Sequence, residues 1–366
     1  MLKSISARSG RGAAPLAIAL IALSGVLLAA CGGGSSSGSS SGTEASASTE
    51  AGASEAPLKV VYFASATANG FSNAVWTSME KKAEELGNVE LSIQNGNFDA
   101  TTQYNQVQDA TTSQQYDGAV LLANDTVGIV PAVEGLIGSG VVVSNVLNPL
   151  GPELDSLTPQ VEGLLSVIEK PSYATTLQAE EAAKWCEAKD PCRVVLMVGG
   201  LQYPFDKIRY EAYKSVLDEH PNIEILATGQ GNYDRNTALT VMTNILQAHP
   251  EIDALISGDQ MTQGAQIALK NAGYDVKKMV GAGELFIDSE GASKQGVAAV
   301  RAGEWNLTAG NWPATAGELA LEQVVKTLRG EEVEGNINLA KAAPVPTILT
   351  KPVLEQNPTF EGEWSG

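Results

Sequence analysis

From Leu58 onward the chain alternates short apolar runs with amphipathic stretches, and it goes through that rhythm twice. Residues 58–64 are almost continuously apolar, as a strand buried on both faces requires. Val75, Met79, Ala83 and Leu86 then recur at helical spacing, and Gly87 stops the helix. Strands are predicted over 89–94, 118–122 and 141–144, with helices over 99–115 and 127–137 between them. After a Gly/Pro-rich interruption at 148–159 the pattern restarts, with strands over 164–168, 193–198, 223–227, 254–257 and 279–282. The helices of this second series are predicted over 173–186, 205–219, 235–248 and 261–272. Strand–helix alternation of this kind builds parallel sheets covered by helices on both faces. The fold class is therefore α/β, with two doubly wound parallel-sheet lobes. Ligands of such sheets sit at the carboxyl ends of the strands, where the strand order switches.

The first 30 residues carry a different message. Lys3, Arg8 and Arg11 precede an apolar run from Ala13 to Ala30 that ends in Leu28-Ala29-Ala30-Cys31. A basic start, a short apolar core and small residues before a cleavage point mark an export signal. The ending resembles a bacterial lipobox, which implies that residues 1–30 are removed and that Cys31 carries lipid on its sulfur. An 18-residue run is also just long enough to be read as one membrane-spanning helix. Residues 31–56 are Gly/Ser/Ala/Glu-rich with almost nothing to bury, and fit a flexible linker between anchor and fold. The expected location is extracytoplasmic, lipid-anchored to the outer face of the cell membrane.

The remaining chain, about 310 residues, exceeds one ordinary hydrophobic core and agrees with two lobes. The formal charge is −19, and removal of three basic residues with the signal makes it −22. Such a surface repels nucleic acid and favours solubility. Of three cysteines, Cys186 and Cys192 remain after Cys31. An even remainder in an exported chain reads as a disulfide, here joining a helix end to the next strand. Two thiols are too few to hold a structural metal.

Catalytic chemistry has little to stand on. The two histidines, His220 and His249, each precede a proline between a helix and a strand, where they act as punctuation. No nucleophile elbow, phosphate loop or dinucleotide fingerprint is present, and no metal or cofactor is expected. The chain reads as a binder and not as an enzyme.

Six short motifs in order then carry a resemblance. They are Asn69-Gly-Phe71, Arg209-Tyr-Glu-Ala-Tyr213 after Val198-Gly-Gly, Tyr233-Asp-Arg235, Met242 through His249-Pro250, Gly258-Asp-Gln-Met with Gly264-Ala265, and Trp312-Pro313. Over residues 58 to about 350 the chain resembles the type I periplasmic binding proteins of the ribose-binding class, which feed sugars to ABC importers. The resemblance implies a three-segment hinge, with 57–170 plus 312–338 as one lobe and 171–311 plus 339–366 as the other. It also implies a monomer that captures a sugar or sugar-like polar ligand by closure and presents it to an ABC permease. A ligand-presenting sensory subunit is the alternative.

The same resemblance places ligand contacts at Asn69 and Phe71, at Tyr233, and at Asn311 with Trp312 beside it. Lys207 stands where the family often has arginine, and Arg209 reads as structural. Asp259 and Glu284 each lie one residue past a polar family position that is glycine here. Asn145 and Asn148 fall in the segment where ribose binders carry Asp-Arg, and either could face the cleft. These departures argue against ribose and for another sugar or a polyol.

Overall fold

The computed structural model describes residues 56–366, so the expected signal, the Cys31 anchor and nearly all of the linker lie outside the described residues. The first strands are β1 (Leu58–Ala64), β2 (Val89–Asn95), β3 (Gly118–Leu121), β4 (Val142–Leu147) and β5 (Leu165–Ile168), interleaved with helices α1 (Gly70–Leu86), α2 (Ala100–Ser113) and α3 (Val130–Gly138). The second series runs through α4 (Pro171–Cys186), β6 (Cys192–Val198), α5 (Pro204–Leu217), β7 (Ile223–Gln230), α6 (Arg235–Ala248), β8 (Ala254–Gly258), α7 (Asp259–Asn271), α8 (Val276–Ala282) and β9 (Phe286–Gly291). It continues with α9 (Lys294–Ala302), β10 (Leu307–Gly310), α10 (Pro313–Leu328), β11 (Asn336–Asn338), α11 (Leu339–Ala342), β12 (Ile348–Thr350) and α12 (Lys351–Gln356).

Two six-stranded sheets result, in the orders β11-β5-β4-β3-β1-β2 and β12-β10-β9-β8-β6-β7. Pairing is parallel throughout except where β12 runs against β10. Each sheet switches direction beside its first strand, between β1 and β3 and between β6 and β8. The chain leaves the first sheet after β5, returns for α10 and β11, and leaves again for β12.

Strand β1 shows why the sequence reads as a doubly covered strand. Val60, Tyr62 and Ala64 pack with Val75 and Met79 of α1 and with Val324 of α10. Val61 and Phe63 face the opposite layer with Val107, Val133 and Leu136. Each such buried aliphatic contributes roughly 1.5–3 kcal/mol. Helices α1 and α10 approach so closely at Gly317 that a Cβ there would sit 2.5 Å from the Val75 carbonyl oxygen. Cys186 and Cys192 form a disulfide with Cα atoms 5.6 Å apart, tying the end of α4 to the start of β6.

One predicted strand is a helix. Residues 279–282 belong to α8, which Asp275 caps by accepting from the Lys278 amide and Gly283 ends at φ 71°. The strand lies further on as β9, whose Asp288-Ser289-Glu290 disguises it as surface. Four apolar residues in a row do not distinguish a strand from a helical turn.

The last residues form a bridge. The Glu363 carboxylate accepts from the Ala314 and Thr315 amides at the start of α10, which packs on the first sheet. The neighbouring Trp364 donates its indole N–H to the Gly291 carbonyl of β9 at 2.6 Å. Among the described residues, no helix is long and apolar enough to cross a membrane.

Candidate functional site

The carboxyl ends of the strands from the two sheets face one another across a cavity of about 100 Å³. Ser65, Leu122, Asn124, Leu147 and Asn148 line it from the first sheet's side. Gly199, Gly258, Glu290 and Asn311 line it from the second, which is the placement expected for doubly wound sheets.

Its walls are aromatic. Phe98 and Tyr233 stack with ring centres 6.3 Å apart and planes 18° from parallel, and Tyr203 approaches both. Phe71 meets Trp364 edge to face at 5.6 Å. Phe98 and Tyr233 hold matching backbones: Asn97-Phe98 and Asn232-Tyr233 all have φ between 51° and 53°. Each pair follows the second strand of its sheet and precedes an aspartate, Asp99 or Asp234, that caps the next helix. Asparagine tolerates the left-handed region, whereas a bulky ring held there is costly and marks a functional constraint. Gly199 makes room for this arrangement, because a Cβ on it would collide with the Tyr233 ring.

The polar centre is Arg209, which is buried on α5. Its Nη2 lies 3.3 Å from Glu290 Oε1 and its Nη1 3.7 Å from Asp206 Oδ1. Tyr233 donates its hydroxyl to Asp206 Oδ1 at 2.6 Å and accepts from Arg209 Nη1 at 3.2 Å. Asn311 Nδ2 donates to Glu290 Oε1 at 2.7 Å, so Arg209 and Asn311 share one oxygen of that carboxylate. Burial opposes the Arg209 charge, but Glu290, Tyr233 and Asp206 more than restore it and hold its pKa above the ordinary value. Burial raises the Asp206 pKa, with Arg209 and the Tyr233 hydroxyl opposing the shift.

Glu169 stands at the carboxyl end of β5, its amide bonded to the Leu147 carbonyl. Burial, then repulsion from Glu290, pushes its carboxyl up to about 8, with Arg209 opposing. A group protonated in the native state and ionised when unfolded lowers stability as pH rises between its two pKa values. Wild-type protein is therefore expected to lose melting temperature from pH 5 to pH 8, while Glu169→Gln loses less and melts several degrees higher at pH 8. Differential scanning fluorimetry of both proteins at the two pH values checks this, and parallel curves would refute it.

The structure distributes the sequence-predicted residues unevenly. Asn69, Phe71, Asn148, Tyr233, Asp259 and Asn311 line the cavity. Asn69 spends its oxygen capping α1, through the Phe71 and Ser72 amides, and its Nδ2 reaches Gln260 Oε1 at 3.3 Å on α7. Asp259 turns its carboxylate to Ser289, Thr308 and the Ser293 amide, a structural use. Asn145 does not line the cavity; its Nδ2 donates to the Asn148 carbonyl, which supports the residue that does.

Three expectations are corrected. Lys207 is exposed, because Asp206 and Arg209 share the inner face of α5 and the next residue turns about 100° away. Glu284 is exposed before the amino end of β9, remote from the cavity, and Glu290 near the carboxyl end of that strand lines it instead. Trp312 is fully buried and packs edge to face on Phe360, so it is core and not wall. Arg209, read from sequence as structural, lines the cavity. Phe98, Tyr203, Asp206, Glu290 and Trp364 were missed. Phe98 was within reach, since Gly96-Asn97-Phe98-Asp99 repeats as Gly231-Asn232-Tyr233-Asp234.

Comparison with known proteins adds four findings. The family model described as a periplasmic binding protein domain matches residues 60–332. A putative rhizopine-binding protein of Rhizobium meliloti is 28% identical over 270 residues, covering 73% of this chain and 83% of the relative. The ribose import binding protein RbsB of Bacillus subtilis is 24% identical over 273 residues, covering 74% and 81%. The fold is also that of an ABC transporter solute binding protein from Bacillus halodurans with bound myo-inositol, at TM-score 0.70 and 21% identity, covering 84% of this chain and 98% of that one.

Proposed function

The chain belongs to the periplasmic binding protein domain family, and we propose that it is the extracytoplasmic receptor of an ABC importer, capturing a sugar or polyol without transforming it. The observation that carries this reading is the lining of the cavity. Aromatic faces suit the C–H side of a ring, and Arg209, Glu290, Asn148 and Asn311 offer donors and acceptors for hydroxyls. Relatives named for ribose import and a fold neighbour with bound myo-inositol support the same ligand class.

In this reading residues 57–170 with 312–338 form one lobe and 171–311 with 339–366 the other. Ligand shifts the population toward the closed form, and the permease reads that form. Contacts such as Asn69 to Gln260 and Phe98 to Tyr233 join opposite walls and belong to closure. The protein acts as a monomer, with Cys31 supplying the lipid anchor at the membrane surface.

A thermal-shift screen of monosaccharides and polyols tests the proposal. One compound should raise the melting temperature by several degrees when present far above its dissociation constant. Asn311→Ala should weaken that compound by about tenfold or more, because the amide contacts a charged carboxylate beside the ligand. A silent panel would overturn the ligand class, and unchanged affinity in the variant would remove Asn311 from the site.

A further inference from the structure

The polar groups of the cavity are unbalanced in a way that a neutral sugar does not explain. Around Arg209 stand Asp206 and Glu290, both in ion-pair range, so two carboxylates already face one guanidinium.

The unpartnered buried atoms lean the same way. Among the described residues that line the cavity, Asn148 Oδ1 and Asn311 Oδ1 are buried acceptors without a donor, and Arg209 Nε is a buried donor without an acceptor. The Asn311 orientation is set by its Nδ2 bond to Glu290, since the reverse would press an amide oxygen on a carboxylate. Both protein bonds to Glu290 fall on Oε1. Buried acceptors left unpaired are costly, so the occupant must bring donors. The rings of Phe98, Tyr203 and Tyr233 gather at the same cavity, and aromatic faces attract cations.

We propose, resting on the sugar or polyol reading above, that the ligand carries a protonated amine on its ring, as an amino sugar or aminocyclitol does, with Glu290 as the principal counter-charge. An ammonium has three donors and no acceptor, which matches the orphaned oxygens. It also restores charge balance in a site where burial makes imbalance expensive.

The test compares matched compounds on the purified full chain by isothermal titration calorimetry. Glucosamine, galactosamine and an amino-deoxy-inositol are each measured beside the neutral parent and the N-acetyl derivative. At least one amine should bind ten or more times tighter than both its parent and its acetylated form. In Glu290→Gln that ratio should fall to near one. Melting curves of the variant establish that it is folded, and the wild-type comparison stands without it. Neutral parents binding as tightly as every amine would overturn this inference and leave the sugar reading intact. Failure of every compound, neutral or charged, would overturn both. An amine preference undiminished in Glu290→Gln would remove Glu290 as counter-charge and overturn the assignment.

Discussion

Replacing Arg209 with alanine is expected to cost about 3–5 kcal/mol of folding stability and to abolish ligand capture. The guanidinium is buried, and among the described residues it is the one cation paired to Asp206 and Glu290. Without it two buried carboxylates face each other with no counter-charge, and the Tyr233 hydroxyl loses its donor. Such carboxylates relieve themselves by protonation, so the deficit should shrink from pH 8 to pH 5. Arg209→Lys should recover only part of the loss, because a single ammonium cannot span both carboxylates as a planar fork does. Urea melts of the three proteins at both pH values, with ligand titration at pH 7, supply the measurement. A variant as stable as wild type at pH 8 would show that Arg209 does not neutralise the cluster.

The second large effect is expected at Trp312. Its ring is fully enclosed beside Phe360, and a Cβ at Gly310 would collide with it. Trp312→Ala should cost about 3–5 kcal/mol through the cavity it leaves. Trp312→Phe should cost less and leave ligand affinity essentially unchanged, because the indole is no part of the wall. Denaturant melts and calorimetry on the phenylalanine variant separate the two roles. A large affinity loss with an intact melt would return Trp312 to the binding surface.

The doubly wound plan was legible because alternation of buried strands and amphipathic helices is a pattern of many residues, each reinforcing the others. Motif positions at helix mouths, such as Asn69 and Tyr233, were legible too, since capping and ligand contact use the same loop. What stayed hidden depends on register. Glu284 lies just before β9 and Glu290 six positions on, near the strand's carboxyl end, and only knowledge of where β9 begins tells them apart. Lys207 and Arg209 differ by 200° of helix rotation, so a two-residue shift swaps solvent for cavity. Trp364 was invisible for another reason: nothing in a short Glu-Trp-Ser-Gly tail says that it folds back on β9.

The threading of the first sheet sets an order of events during synthesis. Helix α10 covers β3, β4 and β5, and β11 completes the sheet edge, yet both are encoded after every parallel strand of the second sheet. A growing chain therefore cannot finish its N-terminal half until nearly all of it has left the ribosome. Until then the apolar face awaiting α10 stays open, a delay that keeps the polypeptide pliable and makes it a natural client of holding chaperones.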